Sequence, residues 1–336
     1  MSNALSPLPE LGQWGGALFI VHCSLFIEKG EAHISDSYEH EWGRFQPWGM
    51  ASPPPEPRSW VNLVLFAATM VTTMAAGAMQ AGVNPFSHPE LLYKGIPFSA
   101  TLLLILGVHE CAHYLTARRW GVRATLPYFI PVPPPLFMIG TMGAFIKIRS
   151  PIPNRNALVD MGVSGPLAGF AVAAVVSMIG LGRSEVIQMS EAAEGGALLL
   201  GNSLLFSFLS DAVIGHLPDG YDVMLDSVAF AGWIGLFVTA INLLPIGQLD
   251  GGHIIYALFG QRHRLIGKAT VIALLPLGIL WQGWFLWAVL LIMVLGMKHP
   301  PPYDMYQPLD PRRRLIGYVA IGVFLVSFTP VPFRLG

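Results

Sequence analysis

The sequence predicts an all-α polytopic membrane protein of about six to seven transmembrane helices, with a small re-entrant β-hairpin between the second and third spans. Three observations carry that expectation. Charged residues make up only 12% of the 336-residue chain, about half the ~25% typical of a soluble domain. Mean hydropathy is +0.56, and apolar runs of spanning length recur along the chain. One long apolar stretch, ATLPYFIPVPPPLFMIGTMGAFIKIRSPIPNRN at 124–156, is so crowded with Pro and Gly that it cannot be an ordinary spanning helix.

The elements follow in order. Residues 1–57 read as a cytoplasmic segment leading into the proline-rich linker SPPPEPR. Its apolar run Ala17–Ile27 contains His22 and is too short to span, so a buried strand is expected there. No basic opening precedes it, so no cleavable signal peptide is expected. A single transmembrane unit, 58–336, then carries apolar runs at about 60–79, 98–117, 157–182, 226–248, 265–280, 283–297 and 315–332. WQG at 281–283 reads as a turn separating the fifth and sixth. A further run, 196–210, reads as a surface helix or part of a packed loop. Within 124–156, Phe145–Ile148 alternates weakly, like a strand. Irregular backbone at membrane depth must be buried in protein or face a watery cavity, hence the hairpin.

Lys and Arg set the orientation. With a cytoplasmic N-terminus and seven crossings, the inner flanks hold Arg58, Arg118, Arg119, Arg123, Lys147, Arg149, Arg155, Arg262, Arg264, Lys268, Lys298, Arg312, Arg313 and Arg314. The outer flanks hold only Lys94, Arg183 and Arg334. That asymmetry obeys the positive-inside rule. A net charge of −1 does not suggest a nucleic-acid partner. Two cysteines, Cys23 and Cys111, make no disulfide framework.

The second run contains three side chains that are costly in hydrocarbon: His109, Glu110 and His113, in LLLILGVHECAHYLTARRW. Two histidines four apart share one face of a helix and can reach one ion. Glu110 then lies beside the metal position, where it can act as a general base. A catalytic zinc needs a third protein ligand. NLLPIGQLDGGH at 242–253 offers Asp250. Pro245, Gly247, Gly251 and Gly252 should break the helix there and let backbone approach a site. His113 and Asp250 fall at similar depth, toward the cytoplasmic side. Asn242 is open between a helix-packing amide and a group that holds substrate or an oxyanion. His253 is open between a partner behind the ligands, an interfacial histidine and a competing ligand; a complete His–His–Asp set favours a non-ligand role. GVSG at 162–165 also suggests a nucleophilic serine, Ser164, of an intramembrane serine protease. Gly165 and Gly169 in GVSGPLAG read more simply as a small-residue face for close helix packing.

HECAH inside a span, GTMGAFIKIRSPIPNRNALVDMGVSGPLAG after it and NLLPIGQLDGGH later resemble the site-2 protease family of intramembrane zinc metalloproteases, over roughly residues 98–260. With no PDZ insertion visible, the chain looks like the short prokaryotic and plastid form. The resemblance implies one zinc ion per chain, held by His109, His113 and Asp250, with Glu110 as catalytic base. It carries the substrate or oxyanion asparagine onto Asn242 and substrate handling onto the strand around Gly140, Gly143 and Phe145. It implies a transmembrane protein as substrate and the lipid bilayer as surroundings. The expected location is a bacterial or archaeal plasma membrane, with the active site toward the cytoplasm. Two rivals come from other classes. A metal transporter would use the same ligands as a transit site, and a catalytically silent relative would only bind membrane proteins.

Overall fold

The computed structural model describes residues 59–134, 136–188, 198–295 and 299–335. The segment 1–57, with its expected strand, lies outside the described residues. The architecture is mainly helical with three two-stranded antiparallel sheets among the described residues.

The first helix, α1 (Ser59–Gln80), and the second, α2 (Ile96–Arg119), are joined through a 3₁₀ turn at Pro89–Gly95. Small residues let their backbones meet. A side chain at Gly95 would fall on the Met74 carbonyl, and Thr73 Oγ1 lies 2.6 Å from Ser99 Oγ. Then come β1 (Tyr128–Pro131) and β2 (Thr141–Phe145), paired Tyr128 to Phe145, with an irregularity between Phe129 and Pro131. This is the hairpin expected between the second and third spans.

Helix α3 (Arg155–Leu181) starts at an Asn154 cap whose side chain accepts the Ala157 N–H. β3 (Glu185–Gln188), β4 (Leu198–Leu200), α4 (Leu204–Val213) and β5 (Tyr221–Met224) follow. The apolar run 196–210 thus becomes mostly a surface helix. Phe206 and Leu209 face inward, while Leu204 and Phe208 are exposed. Helix α5 (Ser227–Asn242) is buried along nearly its whole length, as expected of a helix apolar on every face. It packs on α3 and α2 through small residues: Gly232 against Ser177, and Gly235 against Ile105.

The fourth expected span, 226–248, is therefore corrected. The helix stops at Asn242 and the chain turns through Pro245 and Gly247, whose φ is +53°. A new helix, α6 (Asp250–Phe259), begins at Asp250 itself. Asp250 opens a helix and does not end one. Next come α7 (His263–Leu280), α8 (Gly283–Leu290), which passes into a π turn at Leu291–Leu295, α9 (Pro311–Ser327) and β6 (Phe333–Leu335). The break at Trp281–Gln282 separates α7 from α8 as expected. Among the described residues, four helical stretches are long and apolar enough to cross a membrane: Ser59–Gln80, Pro89–Arg119, Arg155–Leu181 and Asp250–Leu280. β3 pairs with β5 and β4 with β6, two sheets without counterpart in the sequence reading.

The hairpin is fastened to α1 at both ends. Asn62 Nδ2 donates to the Leu126 and Pro127 carbonyls at 3.0 and 2.9 Å. Thr72 Oγ1 donates to the Gly140 carbonyl at 2.6 Å. Gly140 has φ +82°, and a Cβ there would sit 2.4 Å from the Thr72 carbonyl oxygen. The residue therefore serves the α1 contact. Asn62→Leu removes both donors and leaves two carbonyls without them, a cost of about 1–3 kcal/mol. Limited proteolysis is expected to nick residues 124–148 faster in that variant, while its zinc content stays at the parent level. Unchanged nicking would show that the two bonds do not hold the hairpin.

Candidate metal centre

His109, Glu110 and His113 are all buried on α2. The two imidazoles meet the first residue of α6. His109 Nε2 and His113 Nε2 lie 3.1 Å apart, and Asp250 Oδ2 is 3.4 Å from the first and 3.3 Å from the second. The sequence spacing thus brings the two histidines to one face, and the break after Asn242 delivers the carboxylate to them.

The tautomer of His113 is set by its surroundings. Its Nδ1–H donates to the Met161 carbonyl at 2.8 Å, so Nε2 keeps a lone pair directed at the shared point. Two imidazole nitrogens and one carboxylate oxygen form a zinc-type donor set that leaves a fourth position open. Donor atoms 3.1–3.4 Å apart suit an ion about 2.0–2.2 Å from each. The residues fit zinc.

Helix α3 forms the bed of this site. Gly162, Gly165 and Gly169 lie on one face. A Cβ at Gly165 would sit 2.1 Å from His113 Nε2, one at Gly169 would be 3.1 Å from His109 Nδ1, and one at Gly162 would be 3.1 Å from the Asp250 carbonyl oxygen. The small-residue face read from GVSGPLAG is real, and what it admits is the pair of imidazoles. That role was missed; the signal was a glycine stripe in a span near a metal-type motif. Ser164 donates to the Met161 carbonyl of its own helix at 3.1 Å. Ser164→Ala is accordingly expected to leave zinc content and peptide cleavage unchanged in a purified-protein assay. A dead Ser164→Ala enzyme would restore the serine-nucleophile reading.

Glycines also build the turn that carries Asp250. Side chains at Gly251 and Gly252 would strike the Leu243 and Gly247 carbonyls at 2.0 and 2.3 Å. At the far end of α6, Arg155 Nε donates to the Ala257 carbonyl at 2.9 Å, tying α6 to the start of α3. α9 is held near the same helices, because Arg313 Nε bonds Asp160 at 2.9 Å and its guanidinium lies 5.4 Å over the Trp120 ring.

The donor cluster opens into a cavity of about 80 Å³ that Glu110, Phe145, Ile146, Asn242, Gln248 and His253 also line. The Ile146 backbone N–H faces the Glu110 carboxylate, so the chain leaving β2 touches the group beside the ligands. Asn242 Nδ2 lies 3.4 Å from His109 Nε2. Of the three strand positions expected to handle substrate, Phe145 lines the cavity. Gly143 sits within β2 with φ +98°, and Gly140 lies before the strand against α1.

Comparison with known proteins bears on this arrangement. The model of peptidase family M50 matches residues 97–281. The chain is 30% identical over 258 residues to a protein named probable zinc metalloprotease EGY2, chloroplastic, from Arabidopsis thaliana, covering 75% of this chain and 44% of that one. It is 31% identical over 295 residues to probable zinc metalloprotease EGY1, chloroplastic, from the same plant, covering 81% and 53%. It is 30% identical over 282 residues to probable zinc metalloprotease EGY3, chloroplastic, from Oryza sativa subsp. indica, covering 78% and 47%. The chain spans about half the length of the curated relatives it matches. No solved structure matches it.

Proposed function

Because the chain belongs to peptidase family M50, the site-2 protease family, we propose that it is an intramembrane zinc metalloprotease hydrolysing peptide bonds within or near the transmembrane helices of membrane-protein substrates. The observation that carries this reading is a His–His–Asp donor set: two histidines, with a glutamate beside them, are buried on a helix long and apolar enough to span a bilayer, and Asp250 meets them from the start of α6. His109, His113 and Asp250 are the proposed ligands. Zinc, when bound, supplies a Lewis acid that acidifies water and polarises the scissile carbonyl.

The chain's own residues supply the rest. Glu110 takes the proton of the attacking water and later passes it to the leaving amine. Asn242 places an amide donor beside His109, where the carbonyl oxygen gains charge. A transmembrane substrate hides its peptide bonds in helical hydrogen bonds and must unwind before it can be cut. The segment ending at Phe145 and Ile146 offers a strand against which an unwound stretch can lie. The distribution of Lys and Arg supports a cytoplasmic N-terminal flank and a cavity opening to the cytoplasmic side of the membrane.

A transport pathway would need a succession of ion sites. Among the described residues, His109, His113 and Asp250 form the one group arranged to hold a metal. The intact Glu110 disfavours a silent binder. The test is cleavage of a panel of single-span helices by the purified full chain in detergent. Chelation is expected to abolish cleavage and zinc to restore it. Cleavage that survives complete removal of the metal would sink the proposal.

A further inference from the structure

We propose that His253 contacts substrate in the metal cavity, accepting a backbone N–H of the unwound peptide at Nε2, and that His299 is the positioning residue that keeps this nitrogen an acceptor. The proposal rests on the reading of the cavity as a peptide site, and it starts from a chain of three groups. His299 is buried, and its Nδ1 lies 2.6 Å from the Pro300 carbonyl oxygen. A carbonyl only accepts, so Nδ1 carries the proton. Burial holds this imidazole well below its ordinary pKa, so it is neutral and Nε2 has a lone pair. That lone pair meets His253 Nδ1, which must therefore be the donor. His253 is left with an unprotonated Nε2.

The rings around His299 hold it in this pose. Tyr256 stacks on it with centroids 4.5 Å apart and planes 15° apart, and His263 stands edge-on at 5.8 Å. The fixed tautomer of His253 is thus a product of packing 46 residues away in sequence.

The open nitrogen has a place to act. No protein group among the described residues bonds His253 Nε2, yet the atom is not sealed from open space. The space that His253 lines is the metal cavity. Phe145 and Ile146 bound that cavity on the hairpin side, and Gln248, Asp250 and His253 bound it on the α6 side. An extended peptide presents backbone polar groups along both edges. One edge can be met by the hairpin. The other faces α6, where an N–H that loses water without gaining an acceptor would be costly. Asp250 is committed to the metal position, so a neutral imidazole acceptor is the group suited to that edge.

The experiment uses the full chain in zinc-loaded form with Glu110→Gln as parent, so that a peptide is held and not cut. The probe is a synthetic single-span peptide of about 20 apolar residues with a Gly–Pro pair near one end. Three further variants are made in this background: His299→Phe, His299→Gln and His253→Phe. Zinc content, probe affinity and the ¹⁵N signature of the His253 ring are measured for each. His299→Phe is expected to keep zinc, to release His253 from the Nδ1–H form and to weaken probe binding about tenfold, or ~1.4 kcal/mol, as is His253→Phe. His299→Gln is expected to recover most of the affinity, because its amide oxygen accepts from His253 Nδ1–H. An Nε2–H signature in the parent would overturn the proposal. So would a Gln variant as weak as the Phe variant, or affinity unmoved by His253→Phe. Cleavage by the chain with Glu110 restored is scored separately. A probe that binds but is never cut counts against the protease reading and leaves the His253 contact standing.

Discussion

Glu110→Gln is expected to keep one zinc per chain and to cut transmembrane helices roughly 10²–10⁴-fold more slowly. The two halves of that result have separate causes. Zinc retention follows from the donor geometry: the three groups that converge are His109, His113 and Asp250, and Glu110 is not among them. The substitution keeps the size and shape of a buried side chain, so the bed of α3 glycines and the turn carrying Asp250 stay as they are. The lost rate follows from chemistry, since an amide cannot take a proton from water. Bound zinc and cleavage rates are measured on the same preparation. Equal cleavage by both proteins would remove Glu110 from the reaction and leave the activity to another group. Loss of zinc would make Glu110 a ligand and contradict the assignment of Asp250.

Gly165→Ala is expected to cost most of the bound zinc, and with it the activity, through one methyl group. A Cβ at this position would lie 2.1 Å from His113 Nε2, 2.4 Å from Cδ2 and 2.6 Å from Cε1. None of these separations is tolerable, so either the imidazole swings away or α2 and α3 move apart. Both results separate a ligand from its partners. Gly169→Ala provides the graded comparison, with its Cβ at 3.1–3.5 Å from His109 atoms. That contact is tight enough to shift the ring slightly and too loose to expel it. Metal titration should therefore rank the parent first, Gly169→Ala second and Gly165→Ala far behind. If Gly165→Ala bound zinc like the parent, the histidine would not sit where the structure puts it.

These two expectations show where sequence and structure divide the work. HECAH was legible because two histidines four apart share a helix face whatever surrounds them. The break before Asp250 was legible too, because Pro245 and Gly247 cannot sit quietly in a helix. The restart at Asp250 was not, since apolar character runs on through 226–248 and hydropathy does not register the change of helix. Gly165 and Gly169 declared a close approach without saying what approached. The His253–His299 contact joins residues on separate elements, and no periodicity links them. β3–β5 and β4–β6 were missed for the same reason: strands of three or four residues find partners far along the chain. Residues 1–57 lie outside the described structure.

The grip of α1 on the hairpin has a mechanical consequence at the metal centre. Asn62 and Thr72 tie the two ends of the hairpin to one rod, and Phe66 presses its ring on Phe129 at 5.0 Å. Any displacement of α1 would therefore be passed to the hairpin, and through it to Ile146, whose backbone N–H faces the Glu110 carboxylate. The first helix and the group beside the ligands are thus linked like two ends of one lever, although Ser59–Gln80 contributes no residue to the donor set.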